Sequence, residues 1–182
     1  MIDSLGHLLG RSALVEQRVR SLIAQRRAVD PAPDDPFRGL YLTDEVVDHL
    51  LEGDPDNPMA VDPEPVRALD EAAGPGARLL RLARDAGLTP LDVDLLVIAV
   101  LPDLDVRFER FYGYLNDDVS RRRVSAGLAF QLAGASPLAA DVRGRLESSR
   151  PLVRHGLILL EDPDRPLLTR ALRVPDRVVA HL

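Results

Sequence analysis

Ser125-Ala-Gly-Leu-Ala-Phe-Gln-Leu-Ala-Gly-Ala-Ser-Pro137, followed further on by Gly156-Leu-Ile-Leu-Leu-Glu-Asp-Pro-Asp-Arg-Pro-Leu-Leu-Thr-Arg-Ala-Leu172, is the part of the chain whose reading decides the fold. Ser125 can cap a helix carrying Leu128, Ala129 and Leu132. Ser136-Pro137 starts another, with Leu138, Val142 and Leu146 recurring every four residues. The few linking residues around Gly134 are short enough for a helix-turn-helix. Gly156 to Leu160 and Leu167 to Leu172 are short apolar runs around Glu161-Asp-Pro-Asp-Arg-Pro166, a dense turn signal, and together they predict a β-hairpin. Helix, helix, hairpin is the winged-helix order. Pro175-Asp176 then begins a short helix with Val178, Val179 and Leu182, whose uncapped end suggests a piece of a larger protein.

Upstream stands Leu101-Pro-Asp-Leu-Asp-Val-Arg-Phe-Glu-Arg-Phe-Tyr-Gly-Tyr-Leu-Asn-Asp-Asp-Val-Ser-Arg-Arg-Arg123. Leu104, Phe108, Phe111, Tyr112 and Leu115 share one face of a helix expected from Asp103 to Leu115, which predicts their burial. Before it, Thr89-Pro90 reads as N-cap and first turn of a helix from Leu91 to Leu101, apolar on most faces and therefore central. Pro102 is expected to end or kink it. A helical pair broken at Gly74-Pro75-Gly76, a Pro/Asp-rich loop from Asp54 to Pro65, and a helix capped by Thr43 and ended by Gly53 come earlier.

The first helix, Ser4 to Ala28, carries Leu5, Leu8, Val15, Val19 and Leu22 at three- and four-residue spacings, interrupted at Ser12. This seam either folds back on its own domain or docks a partner or second copy through Leu8, Val15 and Leu22. Val29-Asp-Pro-Ala-Pro-Asp-Asp-Pro36 marks a stiff boundary, and Phe37 to Leu42 a short extended segment. The organisation expected is an N-terminal amphipathic helix (1–29), a Pro-rich linker (30–36) and a winged-helix-containing helical domain (37–182). The fold class is mainly α with a small β-hairpin.

Composition narrows function. The chain has 182 residues, 46% of them hydrophobic and 29% charged, enough for a real core. It has no Cys, and all 23 basic residues are Arg, so there is no Lys. A phosphate loop of the Walker type, a Ser-x-x-Lys hydrolase and a Schiff-base enzyme all need that missing amine. Thiolate chemistry and Cys-based zinc sites are excluded as well. His7, His49, His155 and His181 are scattered without metal-ligand spacing and are expected at surfaces or caps. Asp92/Asp94, Asp103/Asp105, Asp117/Asp118 and Asp162/Asp164 are neighbours in sequence, which suits caps and turns better than a convergent acid-base pair. No catalytic, cofactor or metal residue is expected. No basic leader and no apolar run of membrane-spanning length occurs, so a cytoplasmic protein without membrane contact is expected.

Arg121-Arg122-Arg123 is the remaining candidate site. Asp117 and Asp118 stand four residues before Arg121 and Arg122, so i, i+4 pairs could simply stabilise the turn. The alternative is that some of the three project toward an acidic protein surface, a nucleotide phosphate or nucleic acid, which the planar guanidinium binds bidentately. DNA is disfavoured: the net charge is -6, and the wing turn sets Glu161, Asp162 and Asp164 against Arg165 alone.

Several motifs carry a resemblance. Asp35-Pro-Phe-Arg-Gly-Leu-Tyr41 with Thr43-Asp-Glu45, Leu101 to Arg123, Pro151-Leu-Val-Arg-His-Gly-Leu157, Pro166-Leu-Leu168 and Leu172-Arg-Val-Pro-Asp-Arg-Val178 are together similar to the N-terminal winged-helix region of a group of bacterial AAA-type ATPases associated with contractile injection systems. The resemblance implies a non-catalytic adaptor that recruits a partner or client, or helps order a hexamer. It also implies an ATPase module beyond Leu182, holding the ATP and Mg that this chain does not bind. The alternative function is a DNA-binding winged-helix transcription regulator.

Overall fold

The computed structural model describes residues 2–29, 44–54 and 56–182. The linker 30–36, the extended segment 37–42 and the Thr43 cap lie outside the described residues. Helix α1 spans Ser4–Ala28, with Asp3 as N-cap accepting from the Gly6 N–H at 2.7 Å. Asp44–Leu51 forms α2, Glu64–Ala73 α3, Arg78–Ala86 α4, Pro90–Leu104 α5 and Arg107–Leu115 α6. The last third holds α7 (Ala126–Leu132), α8 (Ala140–Gly144), α9 (Pro151–Arg154), β1 (Leu159–Leu160), β2 (Leu172–Arg173) and α10 (Asp176–Val179).

The first helix is part of the core, not an appendage to it. It packs against α3, α4, α5 and α7. Leu8, Val15 and Leu22 are 2%, 2% and 3% exposed and belong to one hydrophobic cluster with α5, α6 and α7. Their seam is therefore consumed internally, and these three side chains do not present a docking face to a partner.

Beside the seam runs a buried ionic network, which corrects the expectation that His7 sits at a surface. His7 is fully buried, with Nε2 2.8 Å from Asp70 Oδ1 and Nδ1 without a hydrogen-bond partner. Arg11, 3% exposed, donates from Nη1 to Asp70 at 2.9 Å and from Nη2 to Asp94 at 2.6 Å. Arg18 Nη1 donates to Asp94 at 3.1 Å and to the Leu132 carbonyl at 3.3 Å. The network thus ties α1 to α3, α5 and the end of α7.

Helix α5 is the centre. Thr89 and Asp92 form a reciprocal capping box, and Val93 and every residue from Leu95 to Leu101 are buried. Pro102 does not end the helix, which continues to Leu104. A proline lacks the N–H that would bond the carbonyl four residues back, here that of Ile98. The Tyr112 hydroxyl takes that acceptor at 2.8 Å. Tyr112 is fully buried, and this burial pushes its phenol well above the usual range. Tyr112→Phe is expected to cost about 1–3 kcal/mol by stranding a buried carbonyl. Denaturant unfolding checks this, and an unchanged midpoint would show that Ile98 finds another donor.

Helix α6 starts later than expected, because Asp105 is an extended break whose carboxylate accepts from the Arg107 N–H at 2.9 Å. That guanidinium also hydrogen-bonds the carboxylate, holding Asp105 below the usual carboxylate range. The break turns Leu104 outward and leaves Phe111 only half-buried, so the five-residue face is not continuous. Phe108, Tyr112 and Leu115 keep the core side.

The winged-helix order is present, with shorter parts than the periodicity suggests. Ser125 caps α7, its Oγ accepting from the Leu128 N–H at 3.3 Å. The helix expected from Ser136 is reduced to Ala140–Gly144, with Leu138 exposed before it. Ala139 is extended, and Gly144 and the restart at Pro151 split the remainder. The β strands pair antiparallel, Leu159 with Arg173 and Leu160 with Leu172. A bridge from Ser125 to Ala171 adds the segment before α7 as a third pairing. Leu167–Thr169, expected as strand, is a 3-10 turn after Pro166.

Candidate functional site

Helix α6 ends in a Schellman motif. The Asp118 N–H donates to the Gly113 carbonyl at 3.0 Å and the Asp117 N–H to that of Tyr114 at 3.2 Å. Asp117 occupies the left-handed position, φ 52°, which an aspartate tolerates better than most side chains. Asp118 Oδ1 then accepts from the Ser120 N–H at 2.9 Å and the Ser120 hydroxyl at 2.6 Å. These bonds, with Arg121 nearby, hold the Asp118 carboxyl below the usual range. Asn116 closes the loop from beneath, its Nδ2 donating to the carbonyls of Arg121 at 3.3 Å and Arg123 at 2.9 Å.

This loop sets the three arginines along one edge of a cleft of about 350 Å³, with the wing turn opposite. Arg121, Arg122, Arg123 and Arg165 line it against Glu161 and Asp162. The local charge is thus positive in a chain whose formal net charge is -6. The wing side is itself braced: Arg170 Nη2 donates to the Pro163 carbonyl at 2.7 Å and Nε to that of Arg165 at 2.8 Å.

The helical i, i+4 arrangement is not available, because α6 stops at Leu115 and the arginines lie beyond the helix. Each arginine finds another carboxylate. Arg121 meets Asp118 at 3.2 Å, Arg122 meets Glu109 at 3.6 Å, and Arg123 meets Asp103 at 3.3 Å. Arg122 is 70% exposed and its contact is the longest of the three. Exposed pairs of this kind contribute little, so a partner's carboxylate can exchange for the internal one at low cost.

The other side of the loop borders a groove of about 410 Å³ lined by Val106 and Val119, by Arg110 and Arg122, and by the carboxylates of Glu109, Asp117 and Asp118. Val106 and Val119 are 71% and 74% exposed. Periodicity did not flag these valines, since both sit in non-helical breaks; Asn116-Asp117-Asp118 was the local signal that a turn would present Val119. Leu8, Val15 and Leu22 do not join this surface, being core residues. Among the described residues, no group of three His, Asp or Glu is arranged to hold a metal ion, and no helix is long and apolar enough to cross a membrane.

No curated protein and no solved structure matches the chain. The family model described as winged helix domain, variant, matches residues 2–182, including α1, whose side chains complete the core around the helix-helix-hairpin unit. The chain belongs to this variant winged-helix family.

Proposed function

We propose that the chain is a non-catalytic protein-interaction domain, the N-terminal adaptor of an AAA-type ATPase acting in the cytoplasm. It recruits a partner or client, or helps order the oligomer, while ATP and Mg act in a separate module. The observation that carries this reading is the α6–α7 loop. It fixes Val119 in the open, with Arg110 and Arg122 lining the same groove and the Arg121–Arg123 edge of the cleft on its other side. Exposed aliphatic side chains rimmed by charged groups of both signs, Arg110 and Arg122 with Glu109, Asp117 and Asp118, match a protein interface with an apolar patch and a polar rim. The resemblance of Leu101 to Arg123 to the ATPase-associated region supports the same assignment.

A DNA-binding regulator is the less supported alternative. The helix that would enter a groove has 5 residues and begins Ala140-Asp141. The wing turn also carries three carboxylates, Glu161, Asp162 and Asp164, where phosphates would lie.

Replacing Arg121, Arg122 and Arg123 together with Gln tests the proposal. Stability should change by about 1 kcal/mol, since water reaches all three pairs, Arg122 at 70% exposure and Arg121 and Arg123 at 29% and 30%. Pull-down of the ATPase module or its client should fail. High salt should mimic that loss for the parent chain, as the screening length falls from ~10 Å at 0.1 M to ~3 Å at 1 M. Undiminished pull-down at low salt would overturn the assignment of these arginines, and salt-sensitive retention on duplex DNA would favour the regulator.

A further inference from the structure

Charge is unevenly placed along the chain. Residues 44–71 carry ten carboxylates against Arg67 alone, so the remainder of a chain of net charge -6 is positive. Asp70 is engaged by His7 and Arg11, but Asp44, Asp48, Glu52, Asp54, Asp62 and Glu64 are exposed. Helix α2 opens this acidic segment. Asp44, Val47, Asp48 and Leu51 stand at i, i+3, i+4 and i+7, one stripe of the helix. All four are exposed, Val47 at 41% and Leu51 at 79%. An apolar pair alternating with carboxylates is the pattern by which a short helix seats in a partner's groove.

The same chain displays the complement. In the cleft between the arginine loop and the wing, Arg121, Arg122, Arg123 and Arg165 outnumber Glu161 and Asp162. A neighbouring cavity of about 340 Å³ shares Asn116, Arg121, Ser125 and Thr169 with that cleft and adds Arg26 and Asp54. The two form one trough, over which arginine still exceeds carboxylate. Val119, 74% exposed, stands on the same loop. Asp54 belongs to the chain's own acidic segment, yet Asp44, Val47, Asp48 and Leu51 line neither this trough nor the groove beside Val119. Stripe and trough are therefore both open on one molecule. Any two copies can close them on each other, head to tail or reciprocally about a two-fold axis.

We propose that the arginine loop meets a second copy of this chain, the α2 stripe of one copy seating on the trough of the other. Asp44 and Asp48 face its arginines, and Val47 and Leu51 lie against Val119. The proposal rests on the adaptor reading, in its oligomer-ordering form, and names the partner. Attraction between exposed groups sets register and encounter rate, so the pairing is sensitive to salt.

Sedimentation equilibrium of the chain by itself, with neither ATPase module nor client present, tests this. The parent should form dimers or larger species at ~0.1 M salt and return to monomer at ~1 M. Asp44→Arg with Asp48→Arg reverses the stripe, and Arg122→Glu with Arg165→Glu reverses the cleft at side chains 70% and 48% exposed. Each reversed chain should be monomeric at a melting temperature near the parent's. An equimolar mixture of the two should associate again, because every cleft then faces a stripe of opposite sign. Leu51→Glu should weaken association about tenfold through the apolar contact. A parent that stays monomeric at low salt and millimolar protein, a stripe-reversed chain that associates as the parent does, or a mixture that stays monomeric would each overturn the proposal. Should a reversed chain fold poorly, Leu51→Glu still decides, and undiminished association in it overturns the seating of α2. A monomeric parent alongside Arg121–Arg123-dependent pull-down of the ATPase module or client would overturn the second-copy pairing and leave the adaptor reading standing.

Discussion

Asp94→Ala is expected to destabilise the protein by about 3–5 kcal/mol, the cost of leaving buried charge without its counterion. Asp94 receives Arg11 at 2.6 Å and Arg18 at 3.1 Å, and both guanidiniums are nearly enclosed, at 3% and 11% exposure. Removing the carboxylate leaves Arg11 with Asp70 alone and Arg18 with only the Leu132 carbonyl. The contrast with the Arg121–Arg123 loop is one of solvation. There, water can replace the lost partner; here, it reaches Arg11 poorly. Denaturant unfolding of Asp94→Ala checks the expectation, and a loss below about 1 kcal/mol would mean that the network is open to water. Arg18→Met in the Asp94→Ala background should recover part of the loss, because Arg18 is the guanidinium left without a carboxylate, and the change replaces it with an apolar stem. No recovery would place the cost in packing at Asp94 instead.

This network also marks the limit of what could be read before the structure. Caps and breakers were legible because they are local: Thr89-Pro90, Ser125 and Gly74-Pro75-Gly76 each act on their own helix end, and all three do so. The winged-helix order followed from such signals. The partners of Arg11 stand 59 and 83 residues away, and nothing in the spacing of a helix announces a contact of that range. Spacing alone therefore assigns His7 to a surface or cap, although it is buried against Asp70. The arginine loop was only half legible. Its charges were visible in Arg121-Arg122-Arg123, but the partners Glu109 and Asp103 come from α6 and α5 rather than from the neighbouring aspartates, apart from Asp118 with Arg121. The seam of α1 left two outcomes open, since an apolar stripe has the same spacing whether it meets its own domain or another.

The α5–α6 corner shows how one local break redistributes burial, and it yields the second large effect. Phe108→Ala should cost about 3–5 kcal/mol, the range for truncating a fully buried aromatic ring. Phe108 is buried, with ring centroids 5.5 Å from Phe111 and 5.8 Å from Tyr112 in edge-on arrangements. Offset pairs of this sort add to the area term. Phe111, equally favoured by periodicity, is half-buried after the Asp105 break and should lose clearly less when truncated. The difference between the two variants is the informative quantity. Equal losses would mean that α6 is rotated relative to the core, or that the helix runs unbroken from Asp103 as its spacing suggests. A deficit confined to Phe108 would place the break at Asp105. It would also tie the exposure of Val106, and so one side of the candidate interface groove, to the same carboxylate-capped turn.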